Sequence, residues 1–345
     1  MAQKKACLEI AEKYANFRKV EDVWRTHFKN AMKDKDSRQV AHFGMKEVRE
    51  AFEIVENVLS CSYEKAQEIM GEDFFGKEDL ETAFGFKTNV EIPRIKFTAE
   101  QLKKAQEHGE MLVLRIGQDN EGNPMTMKRI LEIMAARMPE KEKLLYDQKK
   151  ANEPALKDDC WFKDEDKEPF IKAGLKTEWV LVGKEFAPNT INMNYARQTL
   201  ELYKIMKERK LMTLEEEKEN TGLENKLKQL CRKNGVNWET QNIDNRAKYD
   251  KNWAAVAREL ADLPINRKHR RSASGIVFDW AVRFKSRKGE RGQLGALYDW
   301  SNSVSSAGSL VYLGPFGSNG GTVAGSIPAG RLGELGAVLL RGSSS

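Results

Sequence analysis

The stretch from Ser301 to Gly333 limits the fold most tightly. Its one charged residue is Arg331, in a chain that is 32% charged overall. Gly and Ser serve turns, and Val and Leu serve strands, so such a run reads as short strands joined by turns. Ser309-Leu310-Val311-Tyr312-Leu313 is a β-type run closed by Gly314-Pro315. Gly317-Ser318-Asn319-Gly320-Gly321 is a turn cluster of hairpin type. Thr322-Val323-Ala324 starts a second run, and Ser326 to Gly333, holding Pro328, reads as a loop. Leu335 to Leu340 is a last apolar strand ending at Arg341. A hairpin, a loop and a return strand make a scaffold whose loops can change without unfolding it. Strand alternation puts Tyr312 opposite Val311 and Leu313, and Thr322 and Ala324 opposite Val323.

A second property of the run is genetic. Lys, Glu, Gln, Met and Trp are missing from it, and none of these can be encoded by a codon ending in a pyrimidine. Every residue type that is present can be.

The 345 residues suffice for two domains, or one large domain with an extension. Before residue 90 the apolar spacing predicts helices through Leu8 to Phe17, Val20 to Phe28, Ser37 to Leu59 and Ser62 to Met70. Trp24 and His27 read there as packing residues. A new unit starts near Ile92-Pro93, with a capping box at Thr98 to Gln101, a strand at Met111 to Ile116 and a turn at Asp119 to Pro124. A helix from Met125 to Met138 carries an inward Met127, Ile130, Leu131, Met134 stripe. Residues 147–170 read as a surface loop pinned by Cys160-Trp161-Phe162, followed by a strand at Glu178 to Glu185 and a helix through Tyr195 to Met206. A capping box at Thr213 to Glu216 opens a polar helix to about Lys233, then a polar connector over 234–250 and a short helix from Trp253 to Leu263. The expected class is α+β: a helical region over 1–90, then a mixed domain over 91–345 with short antiparallel strands.

Charge is concentrated. Residues 267–291 hold nine Lys/Arg against two acids, a balance of +7, so the rest of the chain stands at −1 within the net +6. Arg267 to Arg271 reads either as a solvated connector or as a grip on a phosphate backbone. A helix follows with Ile276, Val277, Trp280 and Phe284 inward, then a basic loop over 286–295.

Chemistry-bearing motifs are scarce. Cys7, Cys61, Cys160 and Cys231 form no CxxC pair, and the four histidines are scattered, so reduced thiols and no metal or other cofactor are expected. There is no Gly-Lys-Ser phosphate loop, and Glu215 to Glu217 read as a solvated helix face. No apolar run reaches the roughly 20 residues of a membrane span, and the N-terminus turns charged before a signal core forms, so a cytoplasmic protein is expected.

Separated stretches together resemble one family. They are MLVLRIGQDNEGNPMTM at 111–127, WVLVGKEFAPNTINMNYARQTLEL at 179–202, the helix at Phe278 to Phe284, and LYDWSNSVSSAGSLVYLGPFGSNGGTVAGSIP with LGELGAVLLR at the end. These look like the variable proteins of diversity-generating retroelements, over roughly residues 92–345. The resemblance implies a C-type-lectin-like fold of the formylglycine-generating-enzyme type. It also implies a 3′ gene end rewritten at adenines, which yields pyrimidine-ending codons. It implies a framework of Tyr298, Trp300, Ser303, Gly308, Leu310, Val311, Gly314, Phe316, Gly320, Val323, Pro328, Leu335, Gly336 and Arg341. The diversified surface is then expected at Val304, Ser309, Tyr312, Pro315, Thr322, Ala324, Gly325, Ile327, Ala329, Arg331 and Leu332, with Tyr312 and Arg331 as anchors. The chain departs from the family in having Ser326-Ile327 rather than an aromatic before Pro328, and Val338-Leu339-Leu340 rather than a Ser-rich strand. No cysteine follows Cys231, which argues against the oxidase activity of the related enzyme.

Three functions follow as expectations. The first is a non-enzymatic protein whose C-terminal surface binds an unknown protein or cell-surface ligand. The second is nucleic-acid binding through residues 267–291. The third is an enzyme on the same scaffold, requiring a pKa-shifted polar cluster in a pocket.

Overall fold

The computed structural model describes residues 60–138, 144–147, 168–286, 297–317, 320–331 and 333–342. The helices expected before residue 60, the cluster at Cys160 to Phe162 and the basic loop after Ser286 lie outside them.

Local signals set most helix ends. Helix α1 (Tyr63–Met70) starts where the Ser62 hydroxyl accepts from the Lys65 amide and stops at Gly71. After β1 (Phe74–Phe75) and α2 (Lys77–Phe84) comes α3 (Ala99–Glu107), opened by the reciprocal Thr98/Gln101 capping box. Strand β2 (Glu110–Arg115) leads to the turn gathered on Asp119, whose carboxylate accepts from the amides of Glu121 and Asn123. Helix α4 (Met127–Arg137) buries Met127, Ile130, Leu131 and Met134, the expected stripe. Then follow β3 (Leu145–Asp147), the short α5 (Pro169–Lys172) and β4 (Glu178–Phe186).

Helix α6 (Tyr195–Glu208) is capped by Asn194. The polar helix expected over 213–233 is two helices, α7 (Leu214–Glu219) and α8 (Leu223–Lys233), because Gly222 takes the left-handed conformation between them. Helix α9 (Arg246–Ala261) begins well before Trp253, since Asn245 caps it within the stretch read as a connector. Pro264 opens α10 (Pro264–His269), and α11 (Ala273–Ser286) follows. From Ala273 through Val282 every residue of α11 is buried, so it is a central helix rather than an amphipathic one.

Two sheets flank α11. The first has the order β1-β2-β4-β9, where β9 is Val338–Gly342, with β2 antiparallel to β4 and Leu112 opposite Leu181. Phe74 pairs with Leu112, so residues 60–90 are built into the same core as the strands that follow, and no boundary falls at 90/91. The second sheet has the order β3-β7-β6-β5-β8, formed by β3, β5 (Tyr298–Val304), β6 (Leu310–Gly317), β7 (Gly320–Ser326) and β8 (Leu335–Gly336). Strand β6 runs through Gly314-Pro315 rather than closing there, and Gly317 pairs with Gly320 across the hairpin. The final strand is two pieces. Past Ala337 the chain leaves the second sheet and joins the first as β9 (Val338–Gly342), antiparallel to β4. The chain is thus an α+β protein with short, mostly antiparallel strands.

The main core surrounds α11 and joins both sheets, and Trp280 stacks on Phe316 with ring centroids 4.6 Å apart. A second core lies on the far side of the second sheet, beneath α6, α8 and α9.

Candidate ligand-binding surface

Alternation along β6 and β7 divides the uncharged window into two sets. Val311, Leu313 and Val323 join the main core, while Leu310, Tyr312 and Ala324 point the other way into the second. That second face is not open. Tyr195 and Leu200 of α6, Leu227 of α8, and Tyr249, Val256 and Leu260 of α9 close over it. The Trp300 ring meets Tyr195 and Tyr312 edge-on, at 5.4 and 5.5 Å between centroids. Tyr312, Thr322 and Ala324, expected as outward contact residues, are therefore interior, at 7%, 2% and 8% exposure. The parity was right, but both faces are covered: amphipathic helices need a partner, and this face serves α6, α8 and α9. Burial pushes the Tyr312 phenol up, and the Thr322 hydroxyl donates to the Gly314 carbonyl within the sheet.

The expected framework is mostly interior. Trp300, Leu310, Val311, Val323 and Leu335 show no exposure. Gly308 and Gly314 have φ of 92° and 121°, which only glycine adopts readily. A Cβ on Gly308 would also lie 2.5 Å from the Ala254 side chain of α9. Arg341 pairs with Glu110 across the first sheet.

The remaining predicted residues sit in two connections. Val304, the last residue of β5, and Ser309, in the turn before β6, are half-buried. Ser305 closes the turn through its amide on the Ser309 carbonyl at 2.8 Å. Ser306 is held from outside: its amide and hydroxyl donate to Glu168 at 2.9 and 3.0 Å, and its carbonyl accepts from Arg258 at 3.1 Å. Gly325 is exposed near the end of β7, where it pairs with Val311; in the loop after β7, Arg331 is exposed and Ile327 and Ala329 are half-buried. Pro315 is half-buried within β6, and Leu332 lies outside the described residues.

The loop after β7 rests on two others. The Tyr195 amide donates to the Pro328 carbonyl at 3.2 Å. Arg331 Nε donates to the Asn192 carbonyl at 3.3 Å and its Nη1 to the Thr240 carbonyl at 3.2 Å. Those carbonyl loops are themselves joined, the Asn194 amide donating to Gln241 Oε1 at 2.8 Å. Loops 187–194, 236–243 and 326–331 thus form one junction. Nothing in the sequence marked Glu168, Asn192 or Thr240 as neighbours of the window, because these contacts link residues more than 90 positions apart.

The two arginines at the centre of the basic run are not on the surface. Arg270 and Arg271 are each 1% exposed. Arg271 places Nε and Nη2 on Asp299 Oδ2 at 3.1 and 2.7 Å and Nη1 on Asp279 at 3.3 Å, while Arg115 forks onto Asp279 at 2.9 and 2.7 Å. Burial pushes the Asp299 carboxyl up against the opposing pull of Arg271. Among the described residues no carboxylate contacts Arg270. It donates to Asn266 at 2.8 Å and Gln198 at 3.3 Å and stacks over Tyr195, 4.1 Å from the centroid. Neither arginine can reach a phosphate backbone. Lys268 is drawn to Glu219 at 2.8 Å, and Lys285 donates to the Arg137 carbonyl at 3.0 Å.

A cleft of about 390 Å³ between Ser60–Tyr63, Ile92–Ile95 and Trp179 has no carboxylate or imidazole in its lining. Burial pushes the Cys61 thiol up, and that of Cys231 to about 11, so these free cysteines are protonated and inert. Among the described residues no group of His, Cys, Asp or Glu could hold a metal ion, and no helix is long and apolar enough to cross a membrane. No protein-family model, curated protein or solved structure matches the chain.

Proposed function

We propose that the chain is a non-catalytic binding protein. Its recognition surface consists of the end of β5 with the turn after it (304–309) and the end of β7 with the loop after it (325–331), carried on a fixed sheet. The reading makes the chain a variable protein of the diversity-generating kind, with a C-type-lectin-like scaffold and a protein or cell-surface ligand. The observation that carries it is a division within one short stretch. Val311, Tyr312, Thr322, Val323 and Ala324 are buried in the strands, while Gly325 near the end of β7 and Arg331 in the loop after it reach solvent, and Ile327 and Ala329 in that loop are only half-buried against the second core. Such a loop can exchange side chains at little cost in stability. An enzyme on this scaffold gains no support, since the buried acids Asp279 and Asp299 are held in ion pairs by Arg115 and Arg271.

Sequencing this gene across a population tests the reading. Replacements should gather at codons 304, 309, 325, 327, 329 and 331 and spare 312, 322 and 324. An even spread along the gene, or variation centred on the buried strand positions, would refute it.

A further inference from the structure

We infer that Ile191, with Asn192 and Gln241, forms a constant half of the recognition surface, and that its partner is a polypeptide segment pairing a carboxylate with an apolar side chain. The inference rests on the reading of the window as a recognition surface and adds residues that the window does not contain.

Ile191 is 41% exposed, one of two large apolar side chains so exposed among the described residues. It is not on a loose loop. Its neighbour Thr190 is fully buried, donates through its hydroxyl to the Ala187 carbonyl at 2.7 Å and accepts from the Ala337 amide at 3.3 Å. On the other side Asn194 caps α6. Held at both ends, the segment presents the Ile191 side chain to solvent, where a partner can use it as an apolar anchor.

The backbone around it is unusual. Asn189, Asn192 and Gln241 all have φ of 60°, three of the four non-glycine residues with positive φ among those described. Left-handed backbone at non-glycine residues is retained where a particular loop shape matters. All three belong to the loops on which Arg331 rests. Arg331 contributes the charge. Its Nε and Nη1 are engaged by carbonyls, and among the described residues no carboxylate pairs with it. The exposed guanidinium is thus an open receptor for an anion, and the Asn192 carbonyl that accepts from it belongs to the residue next to Ile191. An arginine beside an aliphatic anchor fits a carboxylate next to an apolar group.

Panning a phage-displayed library of random short peptides against the full chain tests this. Enriched peptides should share an acidic and an apolar residue. Ile191→Asp and Arg331→Glu should each weaken their binding about tenfold or more, and Leu214→Asp, at the other exposed apolar residue, should leave it unchanged. Ile191→Ser serves as a second variant if Ile191→Asp lowers the thermal midpoint. Failure to enrich any peptide overturns the inference, as does equal binding to wild type and both Ile191 variants. Loss with Arg331→Glu and Ile327→Asp but not at Ile191 removes the constant half and leaves the window reading standing. Indifference to all of these changes removes both.

Discussion

The described residues of strands β6 and β7 and the loop 327–331 draw on similar small and apolar residue types, yet the strand residues are mostly buried and the loop is partly open. In the hairpin, each face meets a core: α11 on one side, and α6, α8 and α9 on the other. In the loop, Ile327 and Ala329 only lean against the second core, and Arg331 lies on its surface. Composition therefore does not decide which residues of the window can recognise anything. The covering helices do, because a sheet face is a surface only until another element buries it. A change in the hairpin must be absorbed by packed neighbours, whereas a change in the loop meets water.

The sharpest way to break this contrast is to open the covered face. Trp300 is fully buried between Tyr195 and Tyr312, so Trp300→Ala should cost about 3–5 kcal/mol in urea denaturation. A loss under about 1 kcal/mol would mean that α6 and α9 do not close over the sheet. Next in size is a matched pair. Ala324→Leu adds volume inside the second core and should cost about 1–3 kcal/mol. Ala329→Leu, in the loop, should change stability by about 0.5 kcal/mol or less. Equal effects at the two alanines would erase the division.

The fastening of the helical cover should depend on pH. Glu216 on α7 lies 3.5 Å from His269 Nε2 on α10, and His269 Nδ1 lies 3.1 Å from the Leu340 carbonyl of β9. Burial alone would raise the Glu216 carboxyl, but the His269 ring, the Thr213 amide and Lys268 outweigh it and hold the group at about 2 against an ordinary 4.5. A depressed folded-state pKa stabilises above the unfolded value and is lost as pH falls through the folded one. The thermal midpoint should therefore drop between about pH 4.5 and pH 2, and Glu216→Gln should flatten that part of the profile. An unchanged slope in Glu216→Gln would remove this clasp from the account.

Local order was legible in the sequence and coverage was not. The capping boxes at Thr98 and Thr213 state their own geometry, since hydroxyl and carboxylate or amide stand three residues apart. The period of two along β6 and β7 correctly put Tyr312 and Ala324 opposite Val311 and Val323. That the opposite face was buried too depends on helices from residues 195–261, whose docking no local pattern announces. Arg270 and Arg271 illustrate the same limit with charge. A run of cations reads as solvated until Asp279, Asp299 and the amides of Asn266 and Gln198 are brought around it. The break at Gly222 was readable, because a glycine between two apolar-periodic segments often ends a helix, but the long polar pattern masked it.

The smallest effect is the most informative about the open half. Arg331 is exposed and its contacts are to two carbonyls, so Arg331→Ala should change global stability by about 0.5 kcal/mol or less. Its effect should instead be local. Without the guanidinium, the loops bearing Asn192 and Thr240 lose a bridge between them, and the Asn194 amide bonded to Gln241 should exchange hydrogen faster while amides in β6 and β7 keep their protection. Unchanged exchange at Asn194 would mean that the junction holds itself without Arg331. A fall of more than about 1 kcal/mol in global stability would place Arg331 with the buried framework, and the open half would shrink to Gly325, Ile327 and Ala329.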